Sequence, residues 1–419
     1  MMHMALRLKF LFSLLAVVLL AAVSFARTPG ASSTTSGTKT AKKNAAVAES
    51  PRAQKRLARL RHKRPVTSHA AGASATAHKR ARRHRRYVER FYTSSYAADI
   101  TEGDIIAGED PTVRQAAVDA LGNMNGTVVA IDPESGRILA MVNQKLALSG
   151  GAQPCSTIKL AVSLAALREG VIDRETPVRI GRYAQINLTD ALAHSNNAYF
   201  EAVGRRLGFE KVSYYAREFG LGELAGFNIE GEHLGIFPAT ELEASRGGVG
   251  KMCSFGESIS MTPLQLGALV SAIANGGTLY YLQHPRSPEE IVDFQPRMKR
   301  RLPIANLIPE ISYGMVGAVE YGTARSVHLN FSEEQILGKT GTCSKAGTRF
   351  GWFASYANTQ FGRIVAVIFL QGGRPTYGPK AAEISGRFYR ALYDHNFFTQ
   401  PATAASSSGE KSSTAGVPQ

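Results

Sequence analysis

Residues 154–170 read PCSTIKLAVSLAALREG, and the fold turns on how they are read. The apolar spacing predicts a helix from about residue 156 to 169, stopped by Gly170. Ser156 stands where that helix starts and Lys159 follows three residues later, so both side chains share one face, a turn apart. A serine hydroxyl is a poor nucleophile until a base removes its proton. A lysine is such a base only when burial or nearby positive charge depresses its pKa. The start of a helix also favours an oxyanion formed beside it. Alone the pair is ambiguous, because Ser156 reads equally well as a helix cap and Lys159 as a surface lysine.

Two further stretches give the pair a context. AHSNNAYF at 193–200 places Ser195 and Asn197 two residues apart, on a turn or helix start between apolar runs. A hydroxyl there relays protons, and an amide holds a lysine or a carbonyl in place. LGKTGTC at 337–343 puts Lys339 and Thr340 at the opening of an expected edge strand. Gly341 removes a side chain where another backbone can approach, and an extended peptide can pair along such an edge. Lys339 offers charge to a carboxylate, and Thr340 and Thr342 offer hydroxyl donors. Serine-x-asparagine is also a common cap, and the third stretch would also suit an ordinary strand with a turn glycine.

Further out, DPTVRQAAVDALG (110–122) predicts a helix, with Asp110 as cap, Pro111 first and Gly122 as stop. GTVVAIDPESGRILAMV (126–142) reads as two apolar strands around a DPESG loop. Helices are expected at 188–207, 211–219, 262–275, 309–320 and 380–393. RFGWFASYAN and RIVAVIFLQG form a late hairpin. Strands at both ends with helices between them predict an α+β sandwich. Its antiparallel sheet takes end strands from opposite termini, is flanked by helices and carries an inserted helical lobe.

The net charge of +16 over 419 residues suggests nucleic acid or membrane until it is located. Residues 27–90 hold 18 Lys and Arg against Glu49 and Glu89, and Arg7 and Lys9 precede them, which leaves 29 basic and 31 acidic residues over 91–419. The basicity therefore belongs to an arm, which reads as a tether ahead of a contact with anionic lipid or wall polymer. Residues 27–94 are expected to be a disordered basic linker, 95–398 the folded domain and 399–419 a disordered tail. Residues 1–26 read as a cleaved signal peptide or a retained anchor, with Arg7 and Lys9 before an apolar run and small residues at Ser24 and Ala26. Either reading places the rest of the chain outside the cytoplasm, in the periplasm or on the outer face of the inner membrane, and argues against nucleic acid as a partner. The three cysteines form neither a disulfide scaffold nor a metal-ligand pattern.

Serine-x-x-lysine, serine-x-asparagine and lysine-threonine-glycine in this order resemble the transpeptidase domain of penicillin-binding proteins, most like the class B kind, over roughly 100–395. GEHLGIFPA (231–239), SFGESISMTPLQLGALVSAIANGGTLY (254–280) and MVGAVEYGTA (315–324) are similar to further segments of that family. The resemblance implies a D,D-transpeptidase in which Ser156 attacks the D-Ala-D-Ala bond of a peptidoglycan stem peptide. Lys159 would take its proton, the amides of Ser156 and Thr342 would hold the oxyanion, and Ser195 would pass the proton on. Asn197 would position Lys159 and the substrate, and Lys339, Thr340, Gly341 and Thr342 would form the carboxylate subsite. β-Lactams would acylate the same serine, and no metal or organic cofactor is implied. A D,D-carboxypeptidase, a serine β-lactamase, and a β-lactam sensor or inactive wall-binding protein are the alternatives. Family members of class B usually carry a large non-catalytic module ahead of this domain, where this sequence shows only the basic arm. Cys155 stands where the family often has glycine, and Cys343 follows the third motif. Some class A carbapenemases join these two positions, so the resemblance implies a Cys155–Cys343 disulfide, with two buried thiols as the alternative.

Overall fold

The computed structural model describes residues 89–359 and 362–399. The expectations for 1–26, for the linker up to 88 and for the tail beyond 399 fall outside the described residues. Asp110 caps α1 (Pro111–Leu121) by accepting from the N–H groups of Thr112 and Val113, and Gly122 ends it at φ 59°. The hairpin β1 (Gly126–Ile131) and β2 (Ile138–Val142) follows, then the short α2 (Gln144–Ala147). A 3-10 turn, Cys155–Ile158, leads into α3 (Lys159–Arg168). The lobe contains the small pair β3 (Val178–Arg179) and β4 (Gln185–Ile186), then α4 (Leu188–Ala193), α5 (Asn197–Leu207), α6 (Phe209–Glu218) and α7 (Gly248–Phe255). After it come α8 (Pro263–Ala274), β5 (Thr278–Tyr280), α9 (Pro288–Val292), β6 (Met298–Arg301) and α10 (Ile308–Glu320). The chain closes with β7 (Ile336–Lys345), β8 (Thr348–Thr359), β9 (Gly362–Gly372) and α11 (Gly378–Asp394).

The main sheet runs β2-β1-β9-β8-β7, and its pairs are antiparallel. β1 pairs with β9, so the two ends of the domain meet at the sheet centre, as the order of elements predicted. The central strands are apolar at successive positions because both faces are covered. Val129 and Ile131 of β1, with Val365, Val367 and Phe369 of β9, face one core with α3 and α8. Val128 and Ala130, with Ala366, Ile368 and Leu370, face a second core with α1 and α11. α8 is buried along its whole length, the expected state of a helix apolar on all sides. Its start is a capping box of Thr262 and Gln265.

Three sequence expectations are corrected. The run 188–207 is two helices, because Ser195 takes φ 55° and Asn196 caps α5 by accepting from Tyr199 N at 2.9 Å. The helix expected from 156 begins as a 3-10 turn and becomes α-helical at Lys159. Lys339 is the fourth residue of its strand and does not open it, since pairing with β8 starts at Ile336. Among the described residues, contacts to the β7–β8 turn reach ahead of residue 95: Tyr92 N donates to Gly347 O at 2.9 Å and the Thr93 and Thr348 hydroxyls lie 2.6 Å apart.

Candidate active site

Ser156 sits in the 3-10 turn at the start of α3, on the core face of the sheet. The segment before it is held from several sides. Trp352 of β8 donates its indole N–H to Gln153 O at 3.0 Å, and Gln153 Nε2 donates to Phe255 O at 3.0 Å. Gly256 lies so close to Pro154 that a Cβ there would stand 2.4 Å from the proline Cγ. Cys155 adopts φ 51°, a left-handed conformation that L side chains rarely take. This turn leaves Ser156 at the surface of the core and sends Lys159 inside.

Lys159 is fully buried. Its Nζ lies 2.7 Å from Ser195 O, 2.7 Å from Asn197 Oδ1, 3.0 Å from Ser156 Oγ and 3.1 Å from Ser195 Oγ. The first two partners are acceptors, one of them a carbonyl that can only accept. A neutral amine spends both its N–H groups on them. Its lone pair then remains for the hydroxyls of Ser156 and Ser195. Burial first and then the charge of Lys339, opposed by Glu201, bring the Lys159 pKa down to about 6. The amine is therefore mostly neutral at pH 7, the form in which it accepts a proton. The break between α4 and α5 makes this possible, since the left-handed turn at Ser195 aims both its carbonyl and its hydroxyl at Lys159.

β7 forms the facing wall, and as an edge strand it turns half of its backbone groups away from β8. Lys339 is fully buried and donates to Thr340 O at 3.1 Å. Burial lowers its pKa to about 7. A Cβ on Gly341 would stand 2.9 Å from Pro154 O and 3.2 Å from Thr157 Cγ2, so glycine is what lets the strand lie against the Ser156 turn. Thr342 Oγ1 accepts from Gly378 N at 2.7 Å. Cys155 and Cys343 are bonded, with Cα atoms 5.5 Å apart, and they tie the Ser156 turn to β7.

Ser156, Lys159, Ser195 and Asn197 thus share one contact set. Lys339 reaches it electrostatically, Gly341 by packing, and Cys155–Cys343 by a covalent bond. Two nearby groups were not singled out from sequence. The Phe200 ring lies 5.3 Å from Lys159 Nζ and helps exclude water from it. Thr323 places its hydroxyl 2.6 Å from that of Thr340. Phe200 ends the quoted stretch 193–200 and Thr323 lies in 315–324, but neither residue type at its position carries a chemical signal alone.

Comparison with known proteins agrees with this geometry. A family profile described as "Penicillin binding protein transpeptidase domain" matches residues 126–393. The chain is 29% identical over 262 residues to stage V sporulation protein D of Bacillus subtilis, covering 52% of this chain and 39% of that protein. It is 24% identical over 307 residues to peptidoglycan D,D-transpeptidase FtsI of Escherichia coli K12, covering 62% of this chain and 50% of the relative. The alignments thus span half or less of these relatives' own lengths. Among solved structures, Pseudomonas aeruginosa PBP2 superposes with a TM-score of 0.58 at 23% identity, covering 70% of this chain and 78% of that one. The D,D-transpeptidase domain of a peptidoglycan glycosyltransferase from Eggerthella lenta gives a TM-score of 0.58 at 20% identity, covering 69% and 82%. With the serine, lysine and KTG-strand geometry in place, the profile match over most of the folded domain settles the family: the chain belongs to the penicillin-binding-protein transpeptidases.

Proposed function

We propose that the chain is a D,D-transpeptidase that cross-links peptidoglycan stem peptides through an acyl-enzyme on Ser156. The observation that carries this reading is Lys159 Nζ, buried, held by two acceptors and 3.0 Å from Ser156 Oγ. Lys159 takes the Ser156 proton as Oγ bonds to the carbonyl carbon between the two D-alanines. The backbone N–H groups of Ser156 and Thr342 hold the oxyanion. As the C–N bond breaks, the proton returns through Ser195 Oγ, 3.1 Å from Lys159 Nζ, to the departing D-alanine nitrogen. The amine of a second stem peptide then attacks the ester, gives up a proton by the same route and frees Ser156. Asn197 positions Lys159, and Lys339 with Thr340 and Thr342 receives the terminal carboxylate. The expected export by residues 1–26 puts the site where such peptides are found.

Fluorescent penicillin should label the purified protein covalently, and Ser156→Ala should abolish the label. Label that persists in Ser156→Ala would refute the nucleophile. With a pentapeptide donor and an acceptor amine, the main product should be the new amide. Hydrolysis alone would make the enzyme a carboxypeptidase, and rapid turnover of the penicillin a β-lactamase.

A further inference from the structure

The loop Tyr321-Gly322-Thr323, between α10 and β7, grips the turn that carries Ser195. Thr323 N donates to Ala193 O at 3.1 Å. A Cβ on Gly322 would stand 2.2 Å from Ala193 O, so only glycine permits the approach. The Tyr321 ring lies 5.5 Å from that of His194, and its hydroxyl donates to Asp190 Oδ1 at 3.3 Å. From this anchored backbone, Thr323 Oγ1 reaches Thr340 Oγ1 across the cleft wall at 2.6 Å. The acyl-transfer steps above make no use of that contact.

Its direction follows from counting protons. A threonine hydroxyl carries one proton and two acceptor lone pairs, whereas an ionised carboxylate only accepts. A Thr340 hydroxyl that binds the substrate carboxylate must donate its only proton to it. In the contact with Thr323 it must therefore accept, and Thr323 must donate. We infer that Thr323 is a positioning residue for the donor carboxylate: its hydroxyl bonds to Thr340 and leaves the Thr340 proton aimed at the anion. Without Thr323 the Thr340 rotor is free to give its proton elsewhere. A neutral ester in the subsite also only accepts, but its hydrogen bond to an uncharged oxygen is about half as strong, so it gains less from this bias. Thr323 thereby selects for ligands that carry an anion at this position. The inference rests on Lys339 and Thr340 being the carboxylate subsite proposed above.

The test compares second-order acylation of Ser156 by benzylpenicillin and by its methyl ester, in the full chain. Thr323→Val is isosteric and removes only the hydroxyl. It should slow the carboxylate form about 10-fold, the worth of one hydrogen bond to a charged group, and the ester only about threefold, since a bond to an uncharged oxygen is about half as strong. Thr323→Ser should restore the carboxylate rate to within about twofold of the native enzyme by the same hydrogen-bond argument. Equal losses on both ligands, no loss on either, or failure of serine to rescue would each overturn the role. Thr340→Val separates the two levels of the argument. Selective loss there with unselective loss in Thr323→Val removes only the Thr323 role. Unselective loss in Thr340→Val removes the subsite, and the inference with it. If the valine variant does not fold, Thr323→Ala carries the same comparison.

Discussion

At the residue scale, two buried lysines are expected to set the pH response of the proposed reaction, with opposite duties. Lys159 must be neutral to accept a proton, and its pKa is lowered to about 6, chiefly by burial and then by Lys339. Lys339 must be charged to attract a carboxylate, and burial lowers it to about 7. For the free enzyme, the acylation rate constant should rise through about pH 6 as Lys159 loses its proton, then fall above about pH 7 as Lys339 does. A pH profile of penicillin acylation checks this, and a single rising limb near pH 10 would contradict the desolvated base. Lys339→Gln should remove the falling limb. It should also move the rising limb up, because the cation that disfavours charge on Lys159 is gone. That limb stays well below 10.5, since burial is the larger cause. The sequence supplied the identities here but not the pKa values, because desolvation depends on Phe200 and the packed lobe, which no local pattern reveals.

At the element scale, the site is made where regular structure gives way. The spacing of apolar residues predicted a continuous helix over 188–207, yet the useful feature is its interruption at Ser195. Periodicity reports which face is buried and is silent on a single left-handed residue. The trio of motifs was legible by order and type, but the Thr323–Thr340 contact was not, since it joins residues on separate elements. The Cys155–Cys343 bond belongs to this scale, because it fastens the 3-10 turn to β7 across 188 residues of chain. Removing it with Cys155→Ser and Cys343→Ser together should cost about 2–5 kcal/mol of stability and lower the thermal midpoint. Cys155 also sits at φ 51°, where glycine is unstrained. The pair Cys155→Gly with Cys343→Ser should thus retain about 1 kcal/mol more than the double serine variant. Denaturant midpoints of the two double variants compare them directly. Equal midpoints would mean that the left-handed turn is not what constrains residue 155.

At the scale of the whole molecule, the sheet joins both ends of the domain, so neither end strand is dispensable. β1 lies between β2 and β9, and β7, near the C-terminal end, carries the proposed substrate wall. The order of strands and helices made this topology legible before any contact was known. The boundary with the arm was less so, because composition changes gradually over residues 80–96 while attachment is set by particular contacts. Among the described residues those contacts include Phe91, above which the Arg349 guanidinium lies 6.0 Å from the ring centroid, and Tyr92. The 18 basic residues over 27–90 supply trypsin sites throughout the proposed linker, whereas many of the domain's own lysines and arginines lie within helices and strands. Brief trypsin treatment of the full chain, already labelled with fluorescent penicillin, should leave a labelled core whose first residue falls between 80 and 91. Unlabelled core should acylate at the rate of the intact chain, because every residue of the proposed site belongs to the core. Cleavage that instead enters first at Arg114, the next basic residue after Arg90, would show that these contacts do not hold the segment. A core that acylates more slowly would show that the arm contributes to the site it precedes.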